Sequence, residues 1–142
     1  MRKEVIVKYF SDDGIEFASE QACYRYEASI NIHNKHLIFL DKNLKRISGI
    51  DLTNVYFFGV LDKIGLNQIR IAGDLQCCDI PPYIGFWFYD ENIGELIRIE
   101  DYIQDMEKEI KKQKKRKNQE VLKALQEQKD FVQLGLLCLQ KI

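Results

Sequence analysis

A chain of 142 residues, 46% apolar and 30% charged, has the size and composition of one folded domain, which excludes a disordered chain and a core that depends on staples. The net charge of −1 conceals an asymmetry: residues 1–107 carry 11 Lys/Arg against 18 Asp/Glu (−7), and residues 108–142 carry 10 against 4 (+6). An acidic body joined to a basic tail predicts two electrostatically different surfaces, or head-to-tail association, or simply a solvated helix face.

Val5, Val7 and Tyr9 alternate with Ile6, Lys8 and Phe10, which predicts a strand at least partly covered on both faces. Ser11-Asp12-Asp13-Gly14 supplies a tight turn, and Ile15-Glu16-Phe17 the short returning strand. Ser19 is suited to cap a helix running to about Ile32, with Glu20 in its first turn and Cys23, Tyr26 and Ile30 on one stripe. Leu37 to Leu40 read as a buried strand, Asp41-Lys42-Asn43 as a turn, and Leu44 to Ile47 as its hairpin partner. Residues 54–60 form another strand, and Leu61 to Ala72 fit a short helix better than a strand.

Asp79-Ile80-Pro81-Pro82-Tyr83 must be a loop, because neither proline has a donor N–H. Ile84 to Tyr89 then make the most aromatic strand of the chain, followed by a turn over Asp90 to Gly94 and a return strand from Glu95 to Ile99. From Glu100 the pattern becomes helical, with acidic residues in the first turns and Ile103, Met106 and Ile110 on one edge. No apolar residue occurs between Lys111 and Glu120, so a helix there is solvated all round or breaks near Asn118. Apolar spacing resumes through Val121, Leu122, Leu125, Val132, Leu136 and Leu139. An unbroken helix over this tail would reach roughly 60 Å, so its two apolar ends predict either a helical hairpin or a partner chain. The expected fold is therefore α+β: a small antiparallel sheet with an N-terminal helix over residues 1–99, and a charged helix or helical hairpin over residues 100–142 used for oligomerisation.

Cys23, Cys77, Cys78 and Cys138 include no C-x-x-C, and neighbouring cysteines rarely bridge to each other. The apolar run at the N-terminus is too short for a signal peptide, and nothing approaches the length of a membrane span. The expected compartment is the reducing cytoplasm.

Motifs for phosphate loops, nucleophile elbows and zinc proteases are lacking, which predicts a protein that binds rather than catalyses and takes no cofactor. His33 and His36 could share one helix face as metal ligands, but no third ligand is signalled and capping or surface roles suit them better. Cys77-Cys78 beside Asp74 and Asp79 read as small, partly buried hydrophobes, with no neighbouring base to activate a thiol.

The aromatic strand is the stronger lead. In an extended chain Phe86 and Phe88 face one side, and Trp87 and Tyr89 the other. Two large rings on the second face either mark a ligand site or pack beneath the C-terminal helix. As a site they would stack a nucleobase, Arg98 and Arg70 would hold a phosphate, and Asn92 would read a base edge or a ribose hydroxyl. The basic run from Lys108 to Lys117 could contact nucleic-acid phosphates, although acidic neighbours flank it and no aromatic residue interleaves.

Tyr9-Phe10-Ser11-Asp12-Asp13-Gly14-Ile15-Glu16-Phe17, followed by Ser19-Glu20-Gln21-Ala22-Cys23 and Tyr26-Glu27, resembles the opening of many small phage accessory proteins. Those share a Y-x-S-x-D-G-x-x-F, helix, C-x-x-Y-E layout. Gly85-Phe86-Trp87-Phe88-Tyr89-Asp90 before an acidic helix resembles the end of such chains. A sheet body with long C-terminal helices is similar to the Thoeris anti-defence sponge proteins, which sequester cyclic ADP-ribose isomers without cleaving them. That resemblance implies a phage-encoded homo-oligomer, working in the infected bacterial cell, that sequesters a nucleotide-derived immune messenger. No binding residue of that family maps onto this chain position by position. An inhibitor of a host defence complex acting through protein contacts, and a nucleic-acid backbone binder using the basic tail, are the alternatives.

Overall fold

The computed structural model describes residues 7–12, 14–79 and 83–141. Its elements are β1 (Tyr9–Phe10), β2 (Glu16–Phe17), α1 (Glu20–Ile30), β3 (Leu37–Leu40), β4 (Arg46–Ile47), β5 (Phe57–Val60), α2 (Lys63–Leu75), β6 (Gly85–Asp90), β7 (Glu95–Arg98), α3 (Ile99–Arg116) and α4 (Gln119–Lys141). Strands β3 to β7 form one antiparallel sheet in the order β4-β3-β5-β6-β7, and β1 and β2 pair separately. The fold is α+β.

Period-two alternation sorts the sheet's side chains into two apolar faces. On one face Ile47, Phe39, Phe58, Trp87 and Arg98 follow one another across all five strands. Leu37, Val60, Ile69 and Ala72 join Phe39, Phe58 and Trp87 in one buried cluster, so α2 covers part of this face. On the other face Ile38, Leu40, Phe57 and Phe88 pack with Ile99, Val132 and Leu139 of the C-terminal helices.

The tail therefore folds back as a hairpin. Lys117 adopts a left-handed conformation (φ 55°) that ends α3, and the Asn118 side chain accepts the Val121 N–H at 3.3 Å to start α4. The apolar residues on either side of the polar gap meet one another and the sheet, so of the two expected arrangements the helical hairpin is the one seen, and the stripe is largely buried within the chain. Leu134 and Leu137, on the outer side of α4, stay exposed.

The N-terminal region stands apart from the main sheet. Ser19 Oγ accepts the Ala22 N–H, and Cys23, Tyr26 and Ile30 of α1 are buried against Phe17, Tyr9 and Ile71. The helix stops at Ile30 rather than Ile32 because the Asn31 side chain accepts the His33 N–H and turns the chain. Buried Asn34 completes the corner: its carbonyl oxygen accepts the N–H groups of His36 and Leu37, and its amide donates to Gln68 of α2. Of the strand expected over residues 5–10, residues 5 and 6 lie outside those described. The expectation of cover on both faces is corrected, since Val7 and Phe10 are exposed and only one side of the small hairpin meets α1.

Candidate functional site

The sheet face bearing Trp87 is only partly roofed by α2, and the uncovered part is a cleft of about 740 Å³. Phe58, Trp87, Tyr89 and Leu96 from β5, β6 and β7 line it, Leu52, Thr53 and Val55 wall one side, and Cys78, Asp79 and Tyr83 come from the segment after α2. The wall is set by short-range chemistry. Asp51 caps a single helical turn over Leu52–Asn54 by accepting the Thr53 N–H. The Gln76 side chain, just past α2, accepts the Leu52 N–H at 2.7 Å and donates to the Gly49 carbonyl at 2.9 Å. That pair of bonds fixes the distance between the α2 terminus and the turn.

Trp87 holds the most informative atom. The residue is 8% exposed, yet its indole Nε1 is buried and has no hydrogen-bond partner among the described residues. An orphaned buried donor costs about 1–3 kcal/mol, and native proteins keep few of them. Tyr83 lies nearly parallel over the indole, with ring centroids 6.1 Å apart and an interplanar angle of 13°. Tyr83 is well exposed, and Tyr89 partly so.

Trp87 and Tyr89 do not pack beneath the C-terminal helix, but Trp87 is itself buried in the cluster on the opposite sheet face. Phe86 and Phe88 pack beneath the C-terminal helices, while Trp87 and Tyr89 face away from them. Arg98 stands directly across from Trp87 on β7, on the same sheet face, with its side chain exposed. Arg70 is exposed on α2, Asn92 is exposed in the β6–β7 turn, and neither they nor Arg98 line the cleft. The Asn92 N–H is held by the Asp90 carboxylate. Sequence reasoning missed Tyr83, Leu52, Thr53, Val55 and Leu96; the Tyr after the two prolines was the one available signal.

The cleft's charges are acidic. Asp79 and Glu95 line it, and Tyr89 separates it from a second hollow of about 630 Å³ holding Asp41, Asp51 and Glu91. Asp41 and Asp51 are engaged in closing turns, and Glu91 pairs with Lys42. Burial, and then the charges of Asp51, Cys77 and Asp79, push the Cys78 thiol up from its usual range, so it stays protonated and a poor nucleophile.

His36 and His33 do not converge on a shared ligand. His36 Nδ1 meets the Asp62 carboxylate at 2.6 Å, His33 is exposed, and no cluster of three or more His, Cys, Asp or Glu residues exists among the described residues. No helix among them is long and apolar enough to cross a membrane. The chain matches no family model, no curated protein and no solved structure.

Proposed function

We propose that this protein is a non-enzymatic binding protein whose aromatic cleft receives the base of a nucleotide-derived ligand. The unpartnered indole N–H of Trp87 carries this reading. A nucleobase offers ring-nitrogen and carbonyl acceptors for that donor, together with a planar face for Tyr83 and Tyr89 to stack on. Asp79 and Glu95 oppose a phosphate inside the cleft, so the base enters first and any phosphate lies outward, where Arg98 is the cation on that face. Sequestration of an immune messenger of the cyclic ADP-ribose class follows from the resemblance described above. Such a role needs only tight binding and slow release. Oligomerisation through the C-terminal helices would rest on Leu134 and Leu137, the large apolar side chains that α4 leaves outermost.

A second reading is favoured by one observation. Tyr83, Ile84 and Ile93 are all exposed on or beside residues that line the cleft, the kind of apolar surface that anchors a protein partner.

The chain has one tryptophan, so its fluorescence reports this cleft alone. Titration with adenosine, AMP and cyclic ADP-ribose isomers should quench it saturably, with intact ligand recovered after denaturation. Unchanged fluorescence with every nucleotide would end the nucleobase reading and leave the protein-partner one.

A further inference from the structure

Eight Lys/Arg residues lie between positions 108 and 123, against only Glu109 and Glu120. In sequence the flanking acids look able to neutralise them. The fold assigns two of those acids elsewhere: Glu107 pairs with Lys129 of α4 at 3.5 Å, and half-buried Glu109 accepts the Gln113 amide at 3.0 Å. The ion pairs found among the described residues involve none of the eight cations. Lys108, Lys111, Lys112 and Lys115 recur at helical spacings of three and four, are all exposed, and share one side of α3. This row is about 10 Å long at 1.5 Å per residue. Lys114, Arg116, Lys117 and Lys123 add exposed charge around the same turn of the hairpin.

The helix dipole accounts for cations in the last turn of α3, but Lys108, Lys111 and Lys112 lie before it. We propose that this end of the α3–α4 hairpin binds the phosphate backbone of duplex DNA without reading its sequence. Between Lys111 and Glu120 there is no apolar side chain, so the surface lacks the buried anchor that a protein interface needs. It also lacks an aromatic ring on which single-stranded bases stack. A row of unpaired lysines on a straight helix suits a regular polyanion, and the acidic remainder of the chain turns the molecule tip-first toward it.

Fluorescence anisotropy with two duplexes of unrelated sequence, over a range of salt concentrations, tests this independently of the cleft. Four phosphate contacts predict a slope of log K against log salt of about −3.6, equal for the two sequences. Replacing three lysines together (Lys111→Gln, Lys112→Gln, Lys115→Gln) should reduce the slope by about 2.7, while Lys45→Gln with Lys63→Gln leaves it unchanged. All five positions are exposed, and circular dichroism checks that the variants fold. No duplex binding at low salt, an undiminished slope in the triple variant, tighter binding of a single strand, or equal binding of polyglutamate would each overturn the assignment.

Discussion

The backbone of Gly135 in α4 lies directly against the ring of Phe57 in β5, so close that a Cβ at 135 would overlap the ring. Phe57 is fully buried and belongs to the central strand of the sheet, and this contact sets how near the C-terminal hairpin approaches. Gly135→Ala gains about 1 kcal/mol of helix propensity but must push α4 off the sheet, and overpacking costs about 1–3 kcal/mol. Urea denaturation should show a net loss for Gly135→Ala and a larger one for Gly135→Val. Stabilisation by Ala would mean that α4 does not seat on Phe57.

Trp87 has two roles that two substitutions separate. Trp87→Ala empties a buried site shared with Phe58 and Val60 and should cost about 3–5 kcal/mol. Trp87→Phe keeps most of the packing and removes the orphaned N–H, so stability should hold or rise by up to about 1 kcal/mol. Calorimetry should then show adenosine affinity falling about tenfold, the worth of a hydrogen bond to a buried donor. Unchanged affinity in a folded Trp87→Phe protein would remove the indole N–H from ligand recognition.

Arg98 faces Trp87 across the β6–β7 ladder and is the cation on that row. Charge-assisted hydrogen bonds are worth about 1.5–3 kcal/mol, so Arg98→Gln should weaken AMP binding by about tenfold or more and leave adenosine unaffected. Equal loss for both ligands would show that Arg98 supports the fold of the site rather than a phosphate.

Much of this architecture was legible because it is local. The hairpin of β6 and β7, the Ser19 cap, the break near Asn118 and the alternation of Phe86 and Phe88 against Trp87 and Tyr89 each follow from spacing within a few residues. The cleft was legible only in its strand. Its other wall depends on Gln76 reaching across 24 residues to the Leu52 N–H, and no periodicity encodes such a contact. Arg70 and Asn92 were grouped with the aromatic strand on chemistry alone, and their elements present them away from the cleft. The basic run read as a solvated helix face for the same reason: the partners of Glu107 and Glu109 are set by which side of α3 meets α4.

Asp62 caps α2 by accepting the Gly65 N–H at 2.9 Å and also meets His36 Nδ1. The Gly65 amide first, and His36 second, hold its carboxyl below the ordinary range. A group whose pKa is lower folded than unfolded stabilises above its unfolded value and loses that contribution as pH falls through the folded one. Asp62→Ala should therefore lower Tm at neutral pH, and the gap from the parent protein should close as pH drops below about 4. A gap that persists in acid would assign the loss to packing rather than to the ionised carboxylate.

Cys77 follows the end of α2 with φ 55°, in the left-handed position where helices commonly place glycine. The Cys78 N–H closes the helix end on the Gly73 carbonyl at 2.9 Å. The left-handed conformation costs a side-chain-bearing residue about 1–2 kcal/mol, so Cys77→Gly should raise the unfolding midpoint by a comparable stability increment. The same residue is the exposed thiol among the four cysteines: Cys23 is buried, Cys138 is half-buried against the sheet, and Cys78 is half-buried with its thiol pushed up. Alkylation followed by time-resolved mass spectrometry should show one fast adduct in the parent protein and none in Cys77→Gly. Occupation of the cleft should slow the second adduct, at Cys78, because that thiol lines it. A fast adduct surviving in Cys77→Gly would place the reactive thiol elsewhere and show that the helix end opens in solution.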